Sequence, residues 1–296
     1  MRILVTGGAG YLGSVFCPYL LRKGYEVTVL DDFYRGAPTS LLQCCAHSDF
    51  KLVKGSVLDY PLLAAKMEWA DAVVALAALV GREGEKDLER LRQVSLAGAK
   101  NVAMLKRHNQ LVVFPMTTAG YVADGNSVID ETTPMVAQTS YAEAKLDAEK
   151  ILLDVGAVSL RLASVFGLSP AMRHDSLLNA LVHDAVKTGT IDVFDPGVLR
   201  NFIHVKDVAR VFERMFMYHT VVGEIYNIGL PCMTKFAVAE VVSKVTGCKV
   251  RIIKGKDPDG RGGQISCEKI KRELRFYPVW TIEDGVEELV RVYGIL

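Results

Sequence analysis

Short apolar runs alternate with segments of helical period over the first 165 residues of the chain. The apolar runs predict strands near 2–6, 26–31, 50–54, 71–77, 111–116 and 157–162. The segments between them predict helices near 11–23, 60–67, 88–106 and 141–153. Strands that alternate with helices pair in a parallel sheet, because each helix crosses over to the next strand. The alternation therefore predicts an α/β fold, a Rossmann-like doubly wound parallel sheet with helices on both faces.

This regularity weakens after Gly167, where residues such as Pro170 and Gly189 interrupt the pattern. We predict that residues 1–165 form the sheet domain. Residues 166–296 should form mainly a smaller mixed α/β lobe, with some segments returning to the first domain.

Two helices are expected in this second lobe, after an apolar segment near 202–205. One should lie near 235–246, after Thr234. The other should begin at Thr281, because Thr281 and Asp284 have the spacing of a capping box.

Composition and charge exclude several classes of protein. Half of the 296 residues are hydrophobic, enough for one large domain or two linked lobes. The net charge of +1, with acids and bases interspersed, gives no basic surface for a nucleic-acid partner. The longest apolar run, residues 72–80, is far shorter than the roughly 20 residues of a membrane helix. The chain enters a strand at Arg2, so we expect no signal sequence and a cytoplasmic location.

The six cysteines show neither a CxxC pair nor a spacing with histidine that suits zinc. We therefore expect reduced, mostly buried thiols and no metal site. His204 lies in an apolar segment, and we expect it to be packed there rather than catalytic.

A glycine-rich turn, TGGAGYLG at residues 6–13, follows the first predicted strand and opens the first predicted helix. Its GxxGxxG spacing lets backbone amides approach a pyrophosphate group at the helix N-terminus. A strand-to-helix turn can also use glycine for its geometry alone, so the motif needs a second signal.

A pair of carboxylates, Asp31 and Asp32, ends the second predicted strand and supplies that signal. A carboxylate at this distance from the glycines meets the adenosine ribose hydroxyls of a bound dinucleotide. It also repels a 2′-phosphate, which favours NAD over NADP as the cofactor. Two alternatives stay open: Asp31 could cap a turn instead, and Arg35 nearby could accept the additional phosphate of NADP.

Further motifs carry a family resemblance: Leu76-Ala77-Ala78, Thr117, YAEAK at 141–145, RLASVFG at 161–167, RNFIHVKDVA at 200–209 and YNIG at 226–229. With the glycine turn and the acidic strand end, they make the chain resemble the extended short-chain dehydrogenase/reductase family along nearly its whole length. The resemblance is to the branch of nucleotide-sugar epimerases and dehydratases. It implies that residues 1–165 bind NAD and carry the catalytic residues, and that residues 166–296 mainly bind the nucleotide sugar. It also implies an NAD site formed by Gly7, Gly10, Tyr11, Leu12, Gly13, Asp31, Asp32, Ser56, Val57, Leu76, Ala77, Ala78, Tyr141 and Lys145.

Tyr141 and Lys145 are four residues apart in a predicted helix, so their side chains share one face, one turn apart. A tyrosine that acts as a base at pH 7 needs its pKa lowered by about 3 units, which costs roughly 4 kcal/mol. An ammonium group at about 4 Å supplies roughly that much at an effective dielectric near 20. A tyrosine and a lysine at this spacing are common on helices and are usually ordinary exposed residues. Here the pair follows the strand that carries Thr117, at the sequence interval seen in the family.

The resemblance implies the role of each catalytic residue. Tyr141 removes the proton of a sugar hydroxyl while hydride passes from the adjoining carbon to NAD, which gives a keto-sugar. Lys145 lowers the pKa of Tyr141 and holds the nicotinamide ribose. Thr117 matches the hydroxyl residue that bridges substrate and tyrosine, and Thr118 is the alternative for that role.

The later steps depend on the residues after Thr117. In 4,6-dehydratases of the family an acidic pair follows the catalytic threonine, whereas this chain has Thr118 and Ala119, which exchange no proton at neutral pH. We therefore predict an NAD-dependent epimerase of a nucleoside-diphosphate sugar, in which the keto-sugar takes the hydride back on its other face. The alternatives are an NAD(P)H-dependent reductase of an NDP-keto-sugar, a 4,6-dehydratase and a non-catalytic NAD-binding protein.

Arg200 and Arg261 match family arginines that grip the nucleotide diphosphate, a group that guanidinium binds in bidentate fashion. Either arginine could instead form a surface ion pair. The substrate residues implied by the resemblance are Thr117, Thr118, Asn179, Arg200 and Arg261. For Asn179, an ordinary helix position is an equal alternative to a contact with the sugar or diphosphate.

Three serines depart from the family pattern: Ser56 replaces a frequent Asp, and Ser95 and Ser164 replace a usual Asn. These changes leave the sugar and the base of the substrate open.

The resemblance also implies a homodimer, in which the helices near 88–106 and 141–153 pair with their copies. Leu88, Leu91, Val102 and Leu105 would offer the apolar surface for this contact, although they could face the sheet instead.

Overall fold

The structure, a computed structural model, describes residues 1–80, 87–121, 128–137, 139–218, 220–255 and 262–294. In chain order the strands are β1 Arg2–Thr6, β2 Glu26–Asp31, β3 Phe50–Lys54, β4 Ala72–Ala75, β5 Leu111–Thr117, β6 Val128–Ile129, β7 Val158–Leu162, β8 Ser164–Phe166, β9 Thr190–Phe194, β10 Leu199–Arg200, β11 Phe202–His204, β12 Ile225–Ile228, β13 Met233–Thr234, β14 Lys249–Ile253 and β15 Gln264–Ile265. The α-helices are α1 Gly13–Arg22, α2 Tyr60–Trp69, α3 Leu88–Arg92, α4 Gly98–Leu105, α5 Ser140–Asp154, α6 Leu177–Thr188, α7 Val205–Met217, α8 Lys235–Thr246, α9 Glu268–Leu274 and α10 Ile282–Tyr293.

Seven of the strands form one sheet in the order β12-β7-β5-β4-β1-β2-β3, and every neighbouring pair is parallel. Its central strands are almost entirely apolar because helices cover both faces. The strand order reverses between β1 and β4, which leaves a crevice at their carboxyl ends. The predicted Rossmann-like α/β fold is confirmed.

The edge strand β12 comes from the second half of the chain and pairs with β7, with Tyr226 opposite Leu160. The helix α7 that precedes it packs on α1 through Phe212 and Phe16, whose rings meet edge to face at 5.2 Å. Segments beyond residue 165 therefore complete the first domain.

The second lobe has an apolar core of its own, to which helices α6, α8 and α10 each contribute. Val182, Val242 and Val286 are fully buried in it. Strands β9 and β14 form a parallel pair against these helices, with Ile191 opposite Val250. The capping box expected at Thr281 is present, since its side chain and that of Asp284 each accept the other's backbone N–H.

The helix predicted near 88–106 is interrupted. A π-helical turn, Gln93–Ala97, separates α3 from α4, a change of hydrogen bonding that apolar periodicity does not show. Leu91 and Val102 are buried against the sheet, which is the second of the two alternatives that the sequence left open for them. The homodimer itself stays a prediction. Leu88 is 43% exposed, and Met104, which the sequence pattern does not single out, is 72% exposed.

Of the helices that the structure describes, none has the length and apolarity needed to cross a bilayer.

Candidate active site

A large cavity opens at the carboxyl ends of the sheet strands and is bounded on its other side by residues of the second lobe. Its volume is about 1090 Å³, at the upper end for small-molecule sites, which leaves room for a dinucleotide and a second ligand. It is lined by Gly7, Gly10, Tyr11, Leu12, Gly13, Asp31, Asp32, Ser56, Val57, Leu76, Ala77, Ala78, Thr117, Thr118, Tyr141, Lys145 and Arg200. The structure thus brings nearly all of the predicted site residues together, while their binding roles stay predictions.

The glycine turn forms one end of this cavity. Gly7 has a φ of +68°, and a Cβ there would lie 2.7 Å from the backbone of Ala77, so the position requires glycine. At Gly10 a Cβ would meet only the main-chain oxygen of Gly7, at 3.3 Å. Among the described residues no side chain caps the N-terminus of α1, so the positive end of the helix dipole faces the turn. The N–H groups of Ser14 and Phe16 already bond to the main-chain oxygens of Gly10 and Leu12. The turn fits the pyrophosphate of a dinucleotide.

The two carboxylates after β2 differ in their partners. Asp31 is buried and accepts hydrogen bonds from the backbone N–H of Ala9, at 2.9 Å, and of Phe33, at 2.8 Å. Burial raises the pKa of the Asp31 carboxyl above its ordinary value. Asp31 therefore holds the glycine turn and also caps a turn, the alternative left open by the sequence. Asp32 forms an ion pair of 2.7 Å with Arg90, half-buried on α3.

Tyr141 and Lys145 lie at the start of α5, where Thr139 caps the helix by accepting the N–H of Ala142 at 3.1 Å. Tyr141 is partly buried, and Lys145 is 4% exposed. The Lys145 Nζ donates to the main-chain oxygen of Pro115 at 2.7 Å. Both side chains thus reach the cavity from the same helix face.

Burial lowers the pKa of Lys145 from its ordinary value to about 7, and the Glu149 carboxylate one turn later opposes that shift. Burial therefore opposes, near pH 7, the positive charge through which Lys145 would lower the pKa of Tyr141. The Lys145 Nζ lies 3.7 Å from the centroid of the Phe114 ring, and the interaction of a cation with the ring face favours the ammonium form.

The strand β5 delivers Thr117 to the same wall of the cavity. The Thr117 Oγ1 accepts the N–H of Ala119 at 3.1 Å as the chain enters a short 3₁₀ turn, Thr118–Gly120. Thr118 and Ala119 also line the cavity. The two positions that bear an acidic pair in 4,6-dehydratases therefore face the site without a proton-exchanging group.

The predicted substrate residues have different positions. Arg200 is 7% exposed and lines the cavity at the end of β10. Arg261 lies outside the described residues. Asn179 is fully buried and is not among the described residues that line the cavity.

The Asn179 carboxamide is engaged by the protein instead. It accepts the N–H of Gly167 at 3.0 Å and donates to the Tyr11 hydroxyl at 3.2 Å and to the Arg173 main-chain oxygen at 2.9 Å. The predicted contact of Asn179 with the sugar is therefore corrected to a link between the glycine turn and the loop after β8.

Sequence reasoning missed two features of the cavity wall. Asn201, beside Arg200, is buried, and its Nδ2 has no hydrogen-bond partner among the described residues. Arg173 and Asp175 form an ion pair of 3.0 Å on the loop before α6. The sequence signal that could have identified Asn201 as a cavity residue is its position directly after Arg200 in the RNFIHVKDVA motif. His204 is fully buried and contacts Glu288 at 3.2 Å, as a packed histidine should.

Comparison with known proteins agrees with this geometry. The model of the NAD-dependent epimerase/dehydratase family matches residues 3–229. A UDP-glucose 4-epimerase of Bacillus subtilis is 28% identical over 98% of this chain and 94% of its own length. A dTDP-glucose 4,6-dehydratase of Streptomyces niveus is 27% identical over 99% of this chain and 93% of its own.

The solved structure of a dTDP-glucose 4,6-dehydratase from Bacillus anthracis in complex with NAD has a TM-score of 0.84 and 25% identity. The match extends over 100% of this chain and 97% of the dehydratase chain. The chain therefore belongs to the NAD-dependent epimerase/dehydratase family and is an enzyme with NAD as its cofactor.

Proposed function

We propose that the protein is an NAD-dependent epimerase of a nucleoside-diphosphate sugar that acts through a transient keto-sugar. The observation that carries this proposal is the pair Thr118 and Ala119 on the cavity wall after Thr117. Elimination of water needs an acid and a base beside the sugar. The relatives include both an epimerase and a dehydratase at similar identity, so the choice depends on these residues.

The remaining carboxylates of the cavity support this choice. Among the described lining residues they are Asp31, Asp32 and Asp175. Asp31 and Asp32 follow β2; Asp31 accepts a hydrogen bond from the glycine turn, and Asp32 forms an ion pair with Arg90. Asp175 is paired with Arg173, and that pairing holds the pKa of the Asp175 carboxyl below its ordinary value. A carboxyl group whose pKa is lowered is a poor donor of the proton that elimination requires.

Proton transfer is assigned to Tyr141. Its phenolate oxygen takes the proton of one sugar hydroxyl as that carbon is oxidised, and returns it when the carbonyl is reduced. Bound NAD supplies the hydride acceptor and later the donor. Lys145 is held by the main-chain oxygen of Pro115, and in its protonated form it stabilises the Tyr141 phenolate. No net redox change results.

Thr117 can orient the reacting oxygen. Its Oγ1 already accepts the N–H of Ala119, so its own O–H remains available as a donor. A donor at this position fixes the sugar oxygen near Tyr141 without exchanging its proton.

Arg200 is assigned to the substrate diphosphate. A guanidinium that is buried in a cavity wall binds a phosphate pair more strongly than one in water, because the surrounding dielectric is lower. The nucleotide would then extend along the second lobe, with the sugar towards Thr117.

Cofactor content tests the proposal against its main alternative. An epimerase recycles NAD in place, so purified protein should release NAD on denaturation and should turn over without a change in absorbance from NAD(P)H. A keto-sugar reductase must exchange its cofactor at every turnover. Protein that is purified without NAD and consumes NADPH with an NDP-keto-sugar would show that the epimerase assignment is wrong.

A further inference from the structure

Arg161 joins the two elements that carry the catalytic residues. It lies on β7 and is 6% exposed. Its Nε and Nη2 donate to the two carboxylate oxygens of Glu149 at 3.0 and 2.8 Å, and its Nη1 donates to the Tyr121 hydroxyl at 2.7 Å. Glu149 lies on α5 one turn after Lys145, and Tyr121 follows the 3₁₀ turn that begins after Thr117. A single side chain thus ties α5 to the segment of Thr117.

The network is anchored at the edge of the sheet. The Tyr121 hydroxyl donates to the Asn227 Oδ1 at 2.9 Å, and the Asn227 backbone N–H donates to the Glu131 carboxylate at 2.7 Å. The Asn227 Nδ2 donates to the main-chain oxygen of Ser266 at 3.2 Å. Arg161 and Asn227 belong to the RLASVFG and YNIG motifs, to which the proposed chemistry gives no role.

Stability alone does not account for this arrangement. A buried ion pair adds little net stability, because removing two charges from water offsets most of their attraction. Arg161 is 6% exposed and its ion-pair partner Glu149 is 3% exposed, so both charges are almost fully removed from water. The directed bonds of this planar guanidinium reach Glu149, Tyr121 and, at 3.4 Å, the Glu131 main-chain oxygen. They fix the relative orientation of their partners, which apolar side chains of the same volume would not.

We propose that Arg161 is a positioning residue that holds Tyr141 and Lys145 in register with Thr117, through Glu149 on one side and Tyr121 on the other. The proposal rests on the proposed function only in requiring hydride transfer beside Tyr141. Misplacement of reacting groups by about 1 Å can lower a rate about 100-fold. Loss of the hydrogen bonds between Arg161 and its partners should therefore lower turnover more than substrate binding.

Two variants test the positioning role of Arg161. Arg161→Lys keeps the charge but loses the planar fork, and Tyr121→Phe keeps the ring but loses the hydroxyl. Each should lower kcat about ten- to hundredfold, with KM for the nucleotide sugar and NAD content within about threefold of wild type. Because both changes break the same link, the double variant should lose little more than the worse single variant.

Asp207→Asn is the matched control. Asp207 is fully buried, pairs with Arg210, and accepts the backbone N–H groups of Val279 at 3.0 Å and Trp280 at 2.9 Å. It is not among the described residues that line the cavity. This variant should lower Tm while leaving kcat within about twofold, which shows the effect of a lost buried carboxylate alone.

The proposal is overturned if Arg161→Lys and Tyr121→Phe lower Tm as the control does but keep kcat, if the loss appears in KM, or if their losses multiply. Should Arg161→Lys not fold, Tyr121→Phe decides alone, since it removes a single oxygen atom. Wild-type protein that performs another redox reaction on a nucleotide sugar rejects the epimerase assignment, and the variants are then compared in that reaction.

Discussion

The Lys145 amine lies 2.7 Å from the main-chain oxygen of Pro115, two residues before Thr117 on the same strand. A backbone acceptor fixes the lysine more firmly than a mobile side chain would. The same location removes Lys145 from water, and burial lowers its pKa to about 7. Position and acidity of this lysine therefore have one structural cause.

Replacing Lys145 by Met should change how stability depends on pH. The pKa of Lys145 is about 7 in the folded protein and near its ordinary value of 10.5 in the unfolded chain. Between these values the unfolded chain binds more protons, so the free energy of unfolding rises with pH. In cofactor-free protein, Lys145→Met should remove this rise. Relative to wild type its Tm should be higher near about pH 6.5 than near about pH 9.5.

Lys150→Met on the same helix is the control, because Lys150 is exposed and pairs only loosely with Asp147 at 3.8 Å. It should shift Tm equally at both pH values. If the Tm of Lys145→Met relative to wild type does not depend on pH, the pKa of Lys145 is not lowered by burial.

Tyr141→Phe should abolish turnover while the protein keeps its NAD. The change removes the phenolic oxygen but leaves the ring that lines the cavity. General-base catalysis contributes about 10²- to 10⁴-fold, and kcat should fall by at least the lower figure. Turnover assays and the NAD content of the purified variant check both halves; activity within a few-fold of wild type would remove Tyr141 from its role.

Much of the first domain can be predicted because its signals are local. Strands β1, β2, β4 and β5 are largely apolar, and β3 intersperses lysines among apolar residues. The glycine turn and the Tyr141–Lys145 spacing are local patterns that specify their own geometry. The edge strand β12 has no such signal, since its pairing with β7 joins residues far apart in sequence.

The direction in which a side chain faces is the main property that the sequence leaves undetermined. Leu91 and Val102 are on helices with apolar residues on more than one side, and the sequence does not say which side meets the sheet. For Asn179 the family resemblance implied either a contact with the sugar or diphosphate or an ordinary helix position, and its partners come from the glycine turn and the loop after β8. The Arg161 network joins residues from six segments of the chain, from Tyr121 to Ser266, and leaves no local pattern.

Gly10→Ala should weaken NAD binding without unfolding the protein. A Cβ at this position meets only the Gly7 oxygen at 3.3 Å within the protein, whereas it projects into the place proposed for the pyrophosphate. NAD affinity should fall about tenfold or more, a loss of about 1.4 kcal/mol, measured by titration of cofactor-free protein. Gly197→Ala is the control, because it is exposed and a Cβ there contacts nothing. Unchanged affinity in Gly10→Ala would place the pyrophosphate elsewhere.

Arg200→Met should raise KM for the nucleotide sugar and leave NAD content unchanged. A hydrogen bond to a charged group contributes about 1.5–3 kcal/mol, so KM should rise by about 10- to 150-fold. The control is Arg251→Met, whose arginine is exposed and pairs with Asp192 at 2.7 Å on the outside of the second lobe. Loss of NAD with normal KM would assign Arg200 to the cofactor instead.

The most direct test is incubation of the NAD-containing protein with UDP-, GDP-, dTDP- and CDP-hexoses in D₂O, with products identified by NMR. Hydride that leaves and returns within the cavity never equilibrates with solvent. We predict an epimer of one nucleotide sugar with no deuterium at the inverted carbon and no net change in NAD. A deoxy-keto-sugar product, or deuterium at the inverted carbon, would contradict the account.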